Sequence, residues 1–346
     1  MPILWRFSFI ILFMKISILD HGLLTNQNNY KKAYKEVIEL CQYVKDLNLY
    51  SFWISEQHNV NSLVISSPLI LLDHLANSVS GIKLGCGGIM LANYQAYNVA
   101  EQIQTLNLLH PERFVYGFGS NIGTKETIEL LKPSLTSTEY QQKIIAVNEY
   151  LNNKKKFDFR INPNINKPVD IVMLVTSEQS AIFAAQHKFK INYGWFLNPS
   201  KVYAENVINS YIEAYKTAWG ENPPEVALSV NVVSGIDYES STRNHNLIAF
   251  YRSFADPNHF AYYPPYSVFE KFVFNEEQRK NFLRLHKSIF NVFDDESMNK
   301  LNNLCENLKI NHLMILPTVA NINDRKRAVK NVADFYVKRG KNEKSW

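Results

Sequence analysis

Glu56, Gln57, His58 and Asn59 stand together after the short apolar run Ser51-Phe52-Trp53-Ile54-Ser55. A histidine on such a loop transfers protons near neutral pH, and an adjacent carboxylate can orient its ring. Gly87 and Gly88 close another apolar run. Two residues without side chains let a flat ligand approach bare main chain, and equally form a tight turn. Thr176-Ser177-Glu178-Gln179-Ser180 stands where a strand gives way to a helix. Its hydroxyls and free N–H groups suit a phosphate, and equally suit plain N-capping. Asp20-His21-Gly22, Gly117-Phe118-Gly119-Ser120-Asn121 and Trp195 complete the residues that follow strands with chemistry to offer. The chain contains no Gly-x-Gly-x-x-Gly, Walker A, Gly-x-Ser-x-Gly or His-Glu-x-x-His sequence. Dinucleotide binding of the Rossmann type, P-loop hydrolysis, serine hydrolysis and zinc proteolysis therefore lose their usual signals.

The elements that must position these residues alternate. Continuous apolar runs at 15–20, 51–55, 82–87, 114–119, 170–175, 191–196, 226–234 and 311–316 read as strands buried on both faces. Helical patterns fill 30–47, 66–79, 97–109, 178–188, 200–219, 238–254, 296–308 and 324–337. In the first of these, Ala33, Val37, Leu40, Cys41, Val44 and Leu47 form one stripe. Eight strand–helix units predict an α/β fold, a single (β/α) TIM-type barrel with insertions in its βα loops. A doubly wound open sheet is the alternative. The insertions are 125–165, with a long helix and the run Lys154-Lys155-Lys156, and the aromatic-rich 255–292. Each is either a lid over the barrel mouth or a packing excursion.

Composition narrows the function classes. Of 346 residues 46% are apolar and 20% charged, enough for a large core. The +5 net charge is local: Arg325 to Trp346 carries eight Lys/Arg and two Asp/Glu, and the remainder is near neutral. A basic end on a neutral body argues against a nucleic-acid groove. Cys41, Cys86 and Cys305 are far apart, with no metal-binding spacing, which fits reduced thiols in a cytoplasmic protein. Phe7 to Met14 is apolar but well short of a membrane span, and no small-residue cleavage site follows it. Met14 sits where a chain would naturally begin, so residues 1–13 are expected to be an upstream extension. The barrel domain is expected over 14–340 and a basic frayed tail over 341–346.

Read together, the segments resemble the bacterial luciferase-like family of flavin-dependent monooxygenases. The resemblance rests on Met14–Asp20, Phe52-Trp53-Ile54-Ser55-Glu56-Gln57-His58-Asn59, Ile82–Leu91, Val99-Ala100-Glu101-Gln102, Leu109–Phe114 and Gly117–Thr124. It is dense from 14 to 124 and traceable to about 337. It implies the barrel fold, reduced FMN supplied by a separate reductase, and oxidation by O2 of an aldehyde or similar small molecule. Less directly it implies a deazaflavin hydride-transfer enzyme. By resemblance Gly87-Gly88 carries a cis peptide under the flavin ring. Thr176, Ser177 and Ser180 match phosphate-binding positions, and Trp195 matches an aromatic near the flavin. Glu56, Gln57 and His58 stand at the catalytic positions. A homodimer is a further implication; a metal is not.

Two departures matter. Catalytic members have His-His where this chain has Gln57-His58, and glutamine is no acid or base near neutral pH. That departure leaves open a catalytically silent flavin-binding protein or partner subunit. Many members also place an arginine on the phosphate at the position of Ser120, and the lost charge-assisted bond is worth roughly 1.5–3 kcal/mol. Ser120 and Asn121 offer neutral hydrogen bonds in partial compensation.

Overall fold

The computed structural model describes residues 14–152, 161–165 and 167–342. The expected extension over 1–13, the Lys154-Lys155-Lys156 run and the last four residues of the expected tail lie outside the described residues. Strands and helices alternate as β1 (Lys15–Asp20), α1 (Tyr30–Asp46), β2 (Ser51–Ile54), α2 (Pro68–Ser78), β3 (Lys83–Ile89), α3 (Ala96–Leu109), β4 (Phe114–Phe118), α4 (Lys125–Leu131) and α5 (Ser137–Asn152). There follow β5 (Ile171–Val175), α6 (Glu178–Gln186), β6 (Lys190–Gly194), α7 (Lys201–Trp219), β7 (Ala227–Val233) and α8 (Tyr238–Arg252). The chain then runs through α9 (Tyr266–Glu270), α10 (Glu276–His286), β8 (Phe290–Asn291), α11 (Asp295–Asn307), β9 (His312–Leu316) and α12 (Ile322–Asn342).

β1 to β7 pair in sequence order, and β9 pairs with both β7 and β1. All these ladders are parallel, so eight strands close into a barrel and the open doubly wound sheet is excluded. The two-residue β8 only extends β7 at its exit. Closure makes strand parity decisive. Ser17 pairs with Ser51 and Leu19 with Trp53. Leu19, Trp53, Val172, Met314 and Leu316 pack together inside the barrel. Their neighbours Ile18, Phe52 and Ile54 join the layer between strands and helices. Gly85 leaves room for the indole, since a Cβ there would come 2.4 Å from Trp53 Cδ2.

Polar groups tie the barrel floor together. Ser17 Oγ lies 2.6 Å from Ser51 Oγ and 2.8 Å from His312 Nε2. Glu225 accepts from Lys15, and His312 and Lys15 hold its carboxyl down at about 2. At the opposite end, past the C-termini of β1 and β9, Arg325, fully buried at the start of α12, donates from Nε to the Val319 carbonyl at 2.6 Å. Its other nitrogens lie 3.3 Å from Glu36 and 4.0 Å from Asp20.

Both insertions take definite form. The long helix expected in 125–165 is two helices, α4 and α5, because Lys132 turns left-handed at φ 48° before Pro133, which cannot sit inside a helix. The segment 255–292 supplies α9, α10 and a cluster of Phe260, Phe269, Phe272, Phe274 and Phe282 packed around Phe250 of α8. Its first part docks on the loops after β1 and β2. Tyr263 N donates to the Leu24 carbonyl at 2.8 Å, and Asn258 Nδ2 to the Asn59 carbonyl at 2.8 Å. β3 also departs from expectation. It runs through Gly87 and Gly88 to Ile89 because the backbone keeps pairing with β4, so the glycine pair does not close the strand.

Candidate active site

At the C-terminal ends of the strands lies a cavity of about 280 Å3. Leu19, Met90, Leu174, Phe196 and Met314 supply its apolar walls, and Gly87, Gly88 and Gly119 supply bare main chain. The Gly87–Gly88 peptide is cis, as the resemblance implied. His21, Ser55, Gln57, Ser120, Asn121 and Thr176 add polar groups at the edges. No helix among the described residues is long and apolar enough to cross a membrane.

A second cavity of about 240 Å3 shares Ser120, Leu174 and Thr176 with the first. It lies between the N-termini of α5 and α6. Thr136, Ser137 and Tyr140 line one side and Ser177, Gln179 and Ser180 the other. Ser177 Oγ accepts from Ser180 N at 3.3 Å, so the same hydroxyls that line the pocket also cap α6. Tyr140 lines this pocket, and its buried hydroxyl has no hydrogen-bond partner among the described residues. No lysine or arginine among the described residues lines it. Neutral hydroxyls, two helix N-termini and one unpartnered buried O–H are a donor set for a phosphate group. The two cavities adjoin through their shared lining residues.

The residues after β2 divide by parity. Gln57 faces the central cavity. His58 lines an outer cavity of about 470 Å3 that shares Gln57, Met90 and Asn121 with the central one and adds Thr124 and the insertion residues Asp256 and Asn258. Glu56 is buried between them and fully engaged. Its Oε2 accepts from Met90 N at 2.8 Å, and its Oε1 accepts from the Tyr94 hydroxyl and lies 2.6 Å from His58 Nε2. Burial and this carboxylate push the Tyr94 phenol up. Asn59 anchors the same loop, donating to Thr124 Oγ1 at 3.1 Å and Glu126 Oε2 at 3.2 Å.

The placement of Trp195 differs from the expectation. β6 ends at Gly194, and the Trp195 indole turns outward into the helix layer, where Nε1 donates to the Ser288 carbonyl at 3.2 Å. Phe196 lines the cavity instead. Arg252 fixes Phe196 from behind, donating to its carbonyl, with the guanidinium 5.6 Å from the ring centroid. His21, Ser55, Met90, Leu174 and Tyr140 also line the two cavities without having been assigned roles from sequence. Alternation along β1 and β6 was the available signal for His21 and Phe196. Nothing in the sequence marked Tyr140.

The comparisons agree with this architecture. An N-acetyl-S-alkylcysteine monooxygenase of Bacillus subtilis strain 168 is 29% identical over 197 residues, covering 54% of this chain and 58% of the relative. The solved structure of apo-MsnO8 superposes with a TM-score of 0.81 at 20% identity, covering 93% of this chain and 98% of that one. The oxygenating constituent of 3,6-diketocamphane monooxygenase from a Pseudomonas putida plasmid, solved in complex with FMN, gives 0.67 at 13% identity, over 92% and 97%. These structural likenesses concern the fold. The model describing luciferase-like monooxygenases matches residues 14–301 of this sequence, and the chain belongs to that family.

Proposed function

We propose that this chain is the oxygenase component of a two-component system. It takes reduced FMN from a separate flavin reductase and uses O2 to oxidise a small organic molecule such as an aldehyde. The observation that carries this reading is that the glycine-lined cavity and the hydroxyl pocket adjoin, sharing Ser120, Leu174 and Thr176 in their linings. One fold neighbour is itself an oxygenating constituent that binds FMN.

The residues present fit the cofactor. Gly87 and Gly88 would lie against its ring, and Ser120, Asn121, Thr176, Ser177, Ser180 and Tyr140 would hold its side chain and phosphate. When bound, reduced flavin supplies the electrons that activate O2. The protein's own work is to exclude water and to orient the substrate. The walls formed by Leu19, Met90, Leu174, Phe196 and Met314 serve the first task. Trp195 is assigned no contact. The described residues of this pocket offer phosphate neutral donors, which suits a cofactor that arrives and departs each cycle. Glu56 fixes His58 and Tyr94 at the wall between the central and outer cavities, and Gln57 faces both cavities. The buried free thiols of Cys41, Cys86 and Cys305 accord with a reducing cytoplasm.

The test mixes the purified chain with an FMN reductase and NADH and follows O2 uptake and flavin absorbance against an aldehyde panel. Substrate-dependent O2 consumption above the reductase alone, with an oxygenated product by mass spectrometry, is the expected result. FMN binding without turnover would instead make the chain a silent flavin binder, as Gln57 suggests. Deazaflavin binding without FMN binding would make it a hydride-transfer enzyme.

A further inference from the structure

We propose that His21 is the hydrogen-bond donor of the central cavity, holding its Nε2–H toward the oxygen of the bound reactants that gains negative charge. The inference rests on the function proposed above and adds to it a residue just past the end of β1, on the inward parity of Ser17 and Leu19. Only two titratable side chains line the central cavity among the described residues, His21 and Glu56. Glu56 has both oxygens committed to Met90, Tyr94 and His58. His58 itself opens on the outer cavity. Gln57 shares the central cavity but is not ionisable near neutral pH. The imidazole available to reactants there is thus His21.

Its surroundings choose a tautomer and a charge state. His21 Nδ1 lies 2.8 Å from Ser55 Oγ. Ser55 extends β2 on the same inward parity as Ser51 and Trp53, and its hydroxyl makes no other side-chain hydrogen bond among the described residues. When that O–H donates to Nδ1, both groups are satisfied and the ring proton resides on Nε2, facing the cavity. Three groups face the ring besides Ser55. Asp20 raises its basicity, Arg252 lowers it, and the edge-on Phe196 ring packs 6.3 Å away. Burial dominates and pushes the imidazole down to about 4. A neutral imidazole that donates without being an acid can polarise a carbonyl or stabilise an oxyanion across the whole neutral range.

Nitrogen-15 imidazole spectra of the full chain, with His21 identified by its loss in His21→Phe, test the first half without any cofactor. The Nε2–H tautomer is expected from pH 8 to pH 5, and its signal should move when FMN and a carbonyl substrate are added together. The second half is kinetic. His21→Phe should lower kcat about 100-fold, the usual effect of removing one such donor, with the FMN Kd changed less than about three-fold. His21→Gln, which restores an N–H near the Nε2 position, should recover at least ten-fold of that loss. Thermal unfolding of each variant separates these effects from misfolding. A Nδ1–H tautomer, titration near pH 6.5, or a His21→Phe enzyme with wild-type kcat overturns the assignment. Absence of FMN binding by the wild-type chain overturns the proposed function itself, whatever the tautomer, so the two failures are told apart.

Discussion

Adding one methyl group at position 88 tests how tightly the main chain closes beneath the cavity. A Cβ on Gly88 would lie 2.8 Å from Leu174 Cδ1, 2.9 Å from Gly119 N and 3.0 Å from Gly117 O. Leu174 can rotate away at a cost of about 1 kcal/mol. The other two atoms are main chain, and Gly119 N is itself held by the Ile89 carbonyl at 3.0 Å. Gly88→Ala should therefore destabilise the fold by about 1–3 kcal/mol, the range for overpacking a filled interior. Gly87→Ala is the control. Its Cβ would meet only side chains, Trp53 Cε3 at 3.2 Å and Leu19 Cδ1 at 3.3 Å, so its cost should stay near or below about 1 kcal/mol. Urea unfolding at constant m reads both differences directly, and FMN fluorescence quenching reads the effect on the cavity. A Gly88→Ala protein within about 0.5 kcal/mol of wild type, or one more stable than Gly87→Ala, would refute the reasoning.

Acid should weaken the fold before its carboxylates protonate. Burial pushes His245 down to about 4, with His286 stacked 3.7 Å away acting in the same direction. His21 is also pushed down to about 4. Protons then bind the unfolded chain first, so the stability is whole above about pH 6.5 and is lost as pH falls toward 4, by about 2 kcal/mol per histidine at pH 5. Urea midpoints at pH 7.5 and 5 should show this loss, and His245→Gln should remove about half of it; equal midpoints would contradict it. Arg325→Met leaves Asp20 and Glu36 buried without their counter-charge and should cost about 3–5 kcal/mol, read as a lowered urea midpoint. Tyr140→Phe removes a buried hydroxyl that no described residue satisfies. It should leave stability unchanged while weakening FMN binding about five-fold, one neutral hydrogen bond, measured by titration.

Much of this architecture was legible because closed barrels obey period two. Counting from Ser51 and Trp53 sends Ser55 and Gln57 inward and His58 away, and that is where they lie, whereas Glu56 departs from the count and also lines the central cavity. The same count along β6 separates Asn192, Gly194 and Phe196, which line the cavity, from Tyr193 and Trp195, which do not. Reading 191–196 as an undivided strand missed that distinction. The glycine pair was legible as bare main chain, but not the continuation of β3 to Ile89, which depends on pairing with β4. Tyr140 was not legible at all. It lines the pocket only because α5 restarts after Pro133 and packs across α3, a matter of helix placement that no local pattern encodes.

The rim around the outer cavity is fastened by carboxamides. Asn258 grips the Asn59 carbonyl and the Asn61 amide at 2.8 Å each, while Asn59 reaches Thr124 and Glu126. All of these bonds are exposed, so water replaces them at a net cost of about 1 kcal/mol apiece. Undoing that rim therefore costs far less than disturbing the aromatic cluster packed around Phe250 behind it.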